Sequence, residues 1–187
     1  DQRGLLSVCA TVNDGDGLKL TCRIAEGSGQ SGPVAPVSKN EAKTDLWIDK
    51  CRYWSPADPH LYRLVVELVG NNGVLDSYAL DVGVREVKIQ GDSLLLNGEP
   101  VYLKGFGKHE DFAVTGKGLV LPVVVKDFQL MKWVNANSFR TSHYPYAEEI
   151  MSMADRQGFL VIDEVPANSL DMRHVNAQTL ANHKEFT

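Results

Sequence analysis

The sequence predicts two architectures in series: an all-β sandwich of immunoglobulin-like type over residues 1–90, then the first three βα units of a (β/α)8 TIM barrel over residues 91–187. Three observations carry this. In the first half apolar and polar residues alternate, as Leu18, Leu20, Cys22 and Ile24 do with Lys19, Thr21 and Arg23, the two-residue period of a half-solvated antiparallel strand. After about Leu96 the alternation gives way to short continuous apolar runs separated by segments of helical spacing, which is the pattern of strands covered on both faces. Finally, a complete eightfold barrel needs about 250 residues, and only roughly 90 follow Leu96, so the expected barrel is incomplete.

Within the first half, Asn13-Asp14-Gly15-Asp16-Gly17 marks a turn ahead of the Leu18 strand. The segment Glu26-Gly27-Ser28-Gly29-Gln30-Ser31-Gly32-Pro33 reads as a flexible loop rather than a domain linker, because strand-like sequence resumes beyond it. Trp47, Trp54 and the Pro56 to Pro59 segment read as core and strand-edge packing in preference to a sugar-stacking platform. Leu64, Val66 and Leu68 alternate with Arg63 and Glu67. Asn71-Asn72-Gly73 then supplies a turn able to adopt positive φ before Tyr78, Leu80 and Val82, which predicts a hairpin. The three cysteines, Cys9, Cys22 and Cys51, lack the paired short spacing of a zinc site and are expected as free thiols, Cys22 as a small buried hydrophobe.

In the second half, Asn97-Gly98 makes a turn and Pro100 to Gly107 is an apolar run read as the first buried strand. Pro122 to Ala136 has helical spacing, with Val124, Phe128 and Met131 on one side and a proline in the first turn. Phe139 to His143 is the next expected strand. Pro145 to Gln157 is the next helix, with Ala147, Ile150 and Ala154 inward and Gly158 as its stop. Phe159 to Ile162 forms a third strand, and Asn176 to Phe186 opens a third helix. Strands joined by such short helical crossovers run parallel and right-handed. An open doubly wound sheet fits less well, since no Gly-x-Gly-x-x-Gly follows the first strand and His109-Glu110-Asp111 would obstruct a pyrophosphate.

Composition limits the function classes. A net charge of −5 and a pI near 5.5 disfavour nucleic acid and a polybasic membrane anchor as partners. No apolar run approaches the roughly 20 residues that span a bilayer, and the stretch from Asp1 to Leu5 has no signal pattern. No cofactor and no metal are expected. His109, Asp111 and His143 could in principle ligate a metal but lack a dense ligand spacing, and Ser142 lacks the flanking glycines of a nucleophile elbow.

Parallel α/β folds gather function at the carboxyl ends of their strands. The first expected strand ends in Lys108, His109, Glu110 and Asp111, the second in Arg140, Ser142 and His143, and the third in Asp163 and Glu164. Each has a bland reading beside the functional one. Arg140 could serve only as a salt-bridge partner, His143 only as a cap on the following helix, and Glu110 and Asp111 only as a solvated loop. Asp163 and Glu164 are poor candidates for a paired catalytic couple, since neighbours in a strand point oppositely.

Three segments carry a family resemblance. They are Gly105-Phe106-Gly107-Lys108-His109-Glu110-Asp111, the run from Asn135 to Glu149 with Asn-Ser-Phe-Arg-Thr-Ser-His-Tyr-Pro-Tyr at its centre, and Gly158-Phe159-Leu160-Val161-Ile162-Asp163-Glu164. Together they resemble the β-glucuronidase branch of glycoside hydrolase family 2, and Tyr53-Trp54-Ser55-Pro56 and Leu80-Asp81-Val82-Gly83-Val84-Arg85 are similar to that family's sandwich module. The resemblance implies a retaining exo-β-glucuronidase acting on a β-D-glucuronide and assembled as a homo-oligomer. In it His143 would bind sugar hydroxyls, Arg140 would hold the catalytic carboxylates, and His109, Glu110 and Asp111 would lie near the glycone pocket.

The resemblance also places both catalytic glutamates, one of them in an Asn-Glu-Pro motif, beyond Thr187, so residues 1–187 alone are expected to be inactive and the remaining segments of the enzyme become its partners. Ala167-Asn168-Ser169-Leu170 departs from the family pattern. A family 2 β-galactosidase fragment and a non-catalytic carbohydrate-binding sandwich stay open as alternatives, and the compartment stays open among lysosome, cytoplasm and cell exterior.

Overall fold

The computed structural model describes residues 2–25, 30–166, 168, 170, 171 and 173–185. Glu26 to Gly29, part of the expected loop, lie outside the described residues, along with Asp1, Ala167, Ser169, Met172, Phe186 and Thr187. The chain divides into two compact units, Asp1–Pro100 and Val101–Thr187.

The first unit contains β1 (Arg3–Thr11), β2 (Lys19–Ile24), β3 (Ala35–Pro36), β4 (Glu41–Asp49), β5 (Tyr62–Gly70), β6 (Gly73–Val82), β7 (Val87–Gln90), β8 (Ser93–Leu96) and β9 (Glu99–Pro100). β1 pairs antiparallel with β4, and β3-β2-β5-β6 form a second antiparallel sheet. Strict alternation in β4 turns Ala42, Thr44, Leu46 and Ile48 inward. Leu46 and Ile48 there meet Cys22 and Ile24 of β2 and Leu64 of β5 in one buried cluster, so the two sheets share a core as a sandwich does. Trp54 is fully buried, its N–H donating to the Val84 carbonyl at 2.9 Å with the Arg85 guanidinium 4.4 Å from its ring centre.

One expectation fails here. Trp47 is 48% exposed, because it falls between the inward Leu46 and Ile48 and must face solvent, where Arg3 covers it at 4.8 Å. On the edge strand β6 Tyr78 faces solvent, while Leu80 and Val82 further along pack against the core. The predicted hairpin is present, with Gly73 at φ 113 closing β5 onto β6. All three cysteines are free thiols; Cys22 and Cys51 are buried, and desolvation pushes both thiols up.

The second unit alternates strand and helix: β10 (Gly105–Lys108), α1 (Leu121–Trp133), β11 (Ser138–Thr141), α2 (Glu148–Gln157), β12 (Leu160–Ile162) and α3 (Ala177–Glu185). The strands run parallel in the order β10-β11-β12. Val124, Phe128 and Met131 of α1 and Ile150 and Ala154 of α2 pack on Phe139 and Phe159. Phe128 meets both phenylalanines edge-on, at 5.9 and 5.2 Å. Gly158 ends α2 in the left-handed region at φ 78, as its position predicts.

The first strand is shorter than expected, since the backbone before Gly105 is satisfied largely by one side chain, with a single backbone bond from the Asn137 N–H to the Lys104 carbonyl at 2.9 Å. Asn137 accepts from the Lys104 N–H at 2.7 Å and donates to the Tyr102 carbonyl at 2.9 Å. β11 likewise stops at Thr141, ahead of a cis Ser142–His143 peptide, and α2 begins at Glu148 rather than Pro145, with Ala147 extended as its N-cap.

Close parallel pairing of β10 with β11 depends on glycine at 105, where an added Cβ would lie 2.2 Å from the Ser138 carbonyl oxygen. Gly105→Ala is expected to destabilise the second unit by about 1–3 kcal/mol or more. Gly118→Ala, whose Cβ would approach only the Thr115 oxygen at 3.4 Å, is expected to be near neutral. Thermal unfolding of the two variants side by side checks the contrast.

Candidate active site

Register brings the strand ends level. Gly107 lies opposite Arg140, Lys108 opposite Thr141, and Arg140 opposite Ile162. The residues that follow each strand therefore emerge at one edge of the sheet. From β10 come His109, Glu110 and Asp111, from β11 Ser142 and His143, and from β12 Asp163 and Glu164.

Glu164 is where they converge. Its Oε1 accepts a hydrogen bond from Arg140 Nη1, and its Oε2 lies 3.3 Å from His143 Nδ1. The Arg140 hydrogen bond first, and His143 after it, hold the Glu164 carboxyl below the usual glutamate range, so it is an anion at neutral pH. Thr141 fixes the same corner from below. Its hydroxyl donates to Asp163 Oδ1 at 2.8 Å and accepts from the Glu164 N–H at 2.8 Å, so the two adjacent acids take separate partners. Asp163 and Glu164 thus act as two anchoring groups.

His109 approaches from the neighbouring loop, its ring centre 5.5 Å from that of His143 at an interplanar angle of 75°. Asp111 is 4.0 Å from His109 Nδ1, and both side chains are exposed. Glu110 is half-buried on the same loop. Behind the rim, the Tyr146 hydroxyl is shared between the carbonyls of Lys108 and Ser142. Burial first, then the charges of Glu110, Asp111 and Glu164 among others, push that phenol up. Lys117 sits over the Tyr144 ring at 4.5 Å, and the Tyr144 and Tyr146 rings are 5.4 Å apart.

Room for this arrangement comes from Gly107. A Cβ there would stand 2.7 Å from Ser142 Oγ and 3.2 Å from Arg140 Nη2. Ser142 Oγ and the Tyr144 hydroxyl are buried without a hydrogen-bond partner among the described residues.

The structure thus gathers Arg140 and His143 around one carboxylate, sets the His109 ring against that of His143, and places Glu110 and Asp111 on the adjoining loop. Reading the sequence undervalued Glu164, which is the centre of the cluster, and passed over Thr141 and Tyr146. A usable signal existed for Glu164, since it follows a buried strand directly at the level of a strand-borne arginine. Chemically the rim offers imidazole and guanidinium donors beside a fixed anion, a set suited to hydroxyl-rich ligands. Among the described residues, no three His, Cys, Asp or Glu side chains gather as a metal site.

Comparison with known proteins agrees with both units. A family model described as glycosyl hydrolases family 2 matches residues 5–85, and one described as glycosyl hydrolases family 2, TIM barrel domain, matches residues 87–187. A β-glucuronidase of Paenibacillus borealis is 46% identical over 186 residues, covering 90% of this chain and 31% of that protein. A β-glucuronidase of Homo sapiens is 38% identical over 97% of this chain and 29% of its own length. The solved β-glucuronidase of Bifidobacterium dentium, complexed with coumarin-3-O-glucuronide, superposes with a TM-score of 0.80 at 39% identity, covering 88% of this chain and 27% of that one. The chain therefore spans about a third or less of the relatives it matches. An antiparallel sandwich followed by parallel βα units, each unit matched by its own family model, is the make-up of a family 2 glycosyl hydrolase, and this chain belongs to that family.

Proposed function

We propose that this chain is part of a retaining exo-β-glucuronidase, supplying the sandwich and the first three βα units of its (β/α)8 barrel, with domain limits near residues 1–90 and 91–187. The observation that supports this most is the Glu164 carboxylate held jointly by Arg140 and His143 at the level strand ends, with His109 beside them. Relatives named β-glucuronidase and a solved relative bound to a glucuronide supply the substrate class.

In this reading His143 and His109 donate hydrogen bonds to sugar hydroxyls. Arg140 orients carboxylates below them, and Glu110 and Asp111 border the glycone pocket. Hydrolysis with retention needs two further carboxyl groups about 5–5.5 Å apart, one protonating the leaving oxygen and one attacking the anomeric carbon. Both are assigned to parts of the enzyme outside residues 1–187, which also hold the rest of the barrel. Fixed donors such as His143 contribute most when their hydrogen bonds strengthen as charge develops on the ring.

The full-length enzyme is expected to hydrolyse an aryl β-D-glucuronide and to leave the matching galactoside intact, whereas residues 1–187 alone turn over neither. Measurable glucuronide turnover by residues 1–187, or a preference for galactoside in the full enzyme, would falsify this reading. His143→Ala in the full enzyme should lower kcat/KM by about 100- to 1000-fold, the scale of losing a donor to developing charge.

Glu164 gives a pH signature. A carboxyl whose folded pKa lies below its unfolded value adds stability above that value and loses it as pH falls through the lowered one. The difference in Tm between the native enzyme and Glu164→Gln should be widest above pH 4.5, the ordinary glutamate value, and close below it. A difference that grows on acidification would contradict the assigned ion pair.

A further inference from the structure

We infer that Lys108 is a positioning residue for the sugar-binding rim, acting through His109; this rests on the reading of His109 as a substrate contact. Lys108 is the last residue of β10 and only 5% exposed. An ammonium in a protein interior is costly unless it is paired and hydrogen-bonded. Here it is both. Its Nζ lies 2.8 Å from Asp127 Oδ2 on α1 and donates to the His109 carbonyl at 3.0 Å. The same ammonium faces the rings of Phe112 at 5.5 Å and Tyr146 at 5.8 Å. Its own carbonyl accepts from the Ser142 N–H at 3.1 Å and from the Tyr146 hydroxyl. One side chain and its peptide group therefore link α1, the loop after β10 and the loop after β11.

The loop after β10 closes on itself. Phe112 N–H donates to the Gly116 carbonyl at 3.0 Å and Gly116 N–H donates back at 2.9 Å. Lys108 grips the root of this closed turn at two points, the His109 carbonyl and the Phe112 ring. The His109 side chain is 56% exposed, so burial does little to fix it, yet its ring stands 5.5 Å from that of His143. The peptide group beneath it is what Lys108 holds. A lysine that only stabilised the strand end would alter folding alone, whereas one that aims His109 must share its catalytic effect with His109.

The test is a double-mutant cycle in the full-length enzyme, with kcat and KM on an aryl β-D-glucuronide and thermal unfolding followed for Lys108→Met, Lys108→Arg, His109→Ala and the pair Lys108→Met/His109→Ala. Lys108→Met should lower kcat/KM by about 100-fold, the cost of misplacing a group by about an ångström. Lys108→Arg should recover most of it, and the double variant should be no worse than His109→Ala alone. A folded Lys108→Met enzyme with native kcat/KM overturns the inference, and so do losses that multiply in the double variant. Should Lys108→Met give no folded enzyme, Asp127→Asn takes its place in the cycle, keeping Lys108 while removing its carboxylate. Native kcat/KM in Asp127→Asn, or losses that multiply when it is combined with His109→Ala, then overturns the inference in the same way. Unchanged kinetics in His109→Ala would sink the His109 reading and this inference together, while an impaired His109→Ala with multiplying losses sinks only the role of Lys108.

Discussion

The arrangement of the second unit turns on a single carboxylate shared by a guanidinium and an imidazole. Glu164 leaves β12, Arg140 projects from β11 and His143 follows β11 after a short turn, so three positions on two strands are set by one anion. Opposite charges brought together at a partly shielded strand edge attract more strongly than in bulk water. The backbone restrains the same corner, since the Glu164 N–H is held by Thr141 Oγ1. Charge and backbone thus constrain Glu164 from two directions, which leaves the imidazole little freedom to drift from the rim.

Beneath the rim the apolar packing supplies the rigidity such a polar cluster needs. Phe128, Phe139 and Phe159 meet as an aromatic triad between α1 and the sheet. Phe139 is the immediate neighbour of Arg140, so the same strand buries one side chain among the helices and offers the next to the opposite face. This division of labour explains how a four-residue strand serves both core and site.

Much of this was legible in the chain itself, because period and terminators are local properties. Val124, Phe128 and Met131 mark the buried face of α1, Gly158 marks the end of α2, and Gly73 marks the hairpin, and each does so in the structure. Three features escaped because they depend on distant partners. The extended run before Gly105 looked like strand, yet its hydrogen bonds go to the side chain and backbone of Asn137, more than thirty residues away. Trp47 looked like core by residue type, but its parity in β4 sends it outward. Glu164 looked like half of an unpromising acidic pair, and only the parallel register with Arg140 shows why it matters. Residue type suggested which side chains could do chemistry, and register decided which of them meet.

The two glycines of β10 bear on how freely the gene for this segment can drift. At Gly105 and Gly107 the space a side chain would need is taken by Ser138, Ser142 and Arg140. Every single-base missense change in a glycine codon yields a larger residue, from alanine and serine up to arginine and tryptophan. Each such nucleotide substitution at either codon therefore inserts atoms where the strand has no space. At these two positions variation has no mild first step by which to begin remodelling the rim.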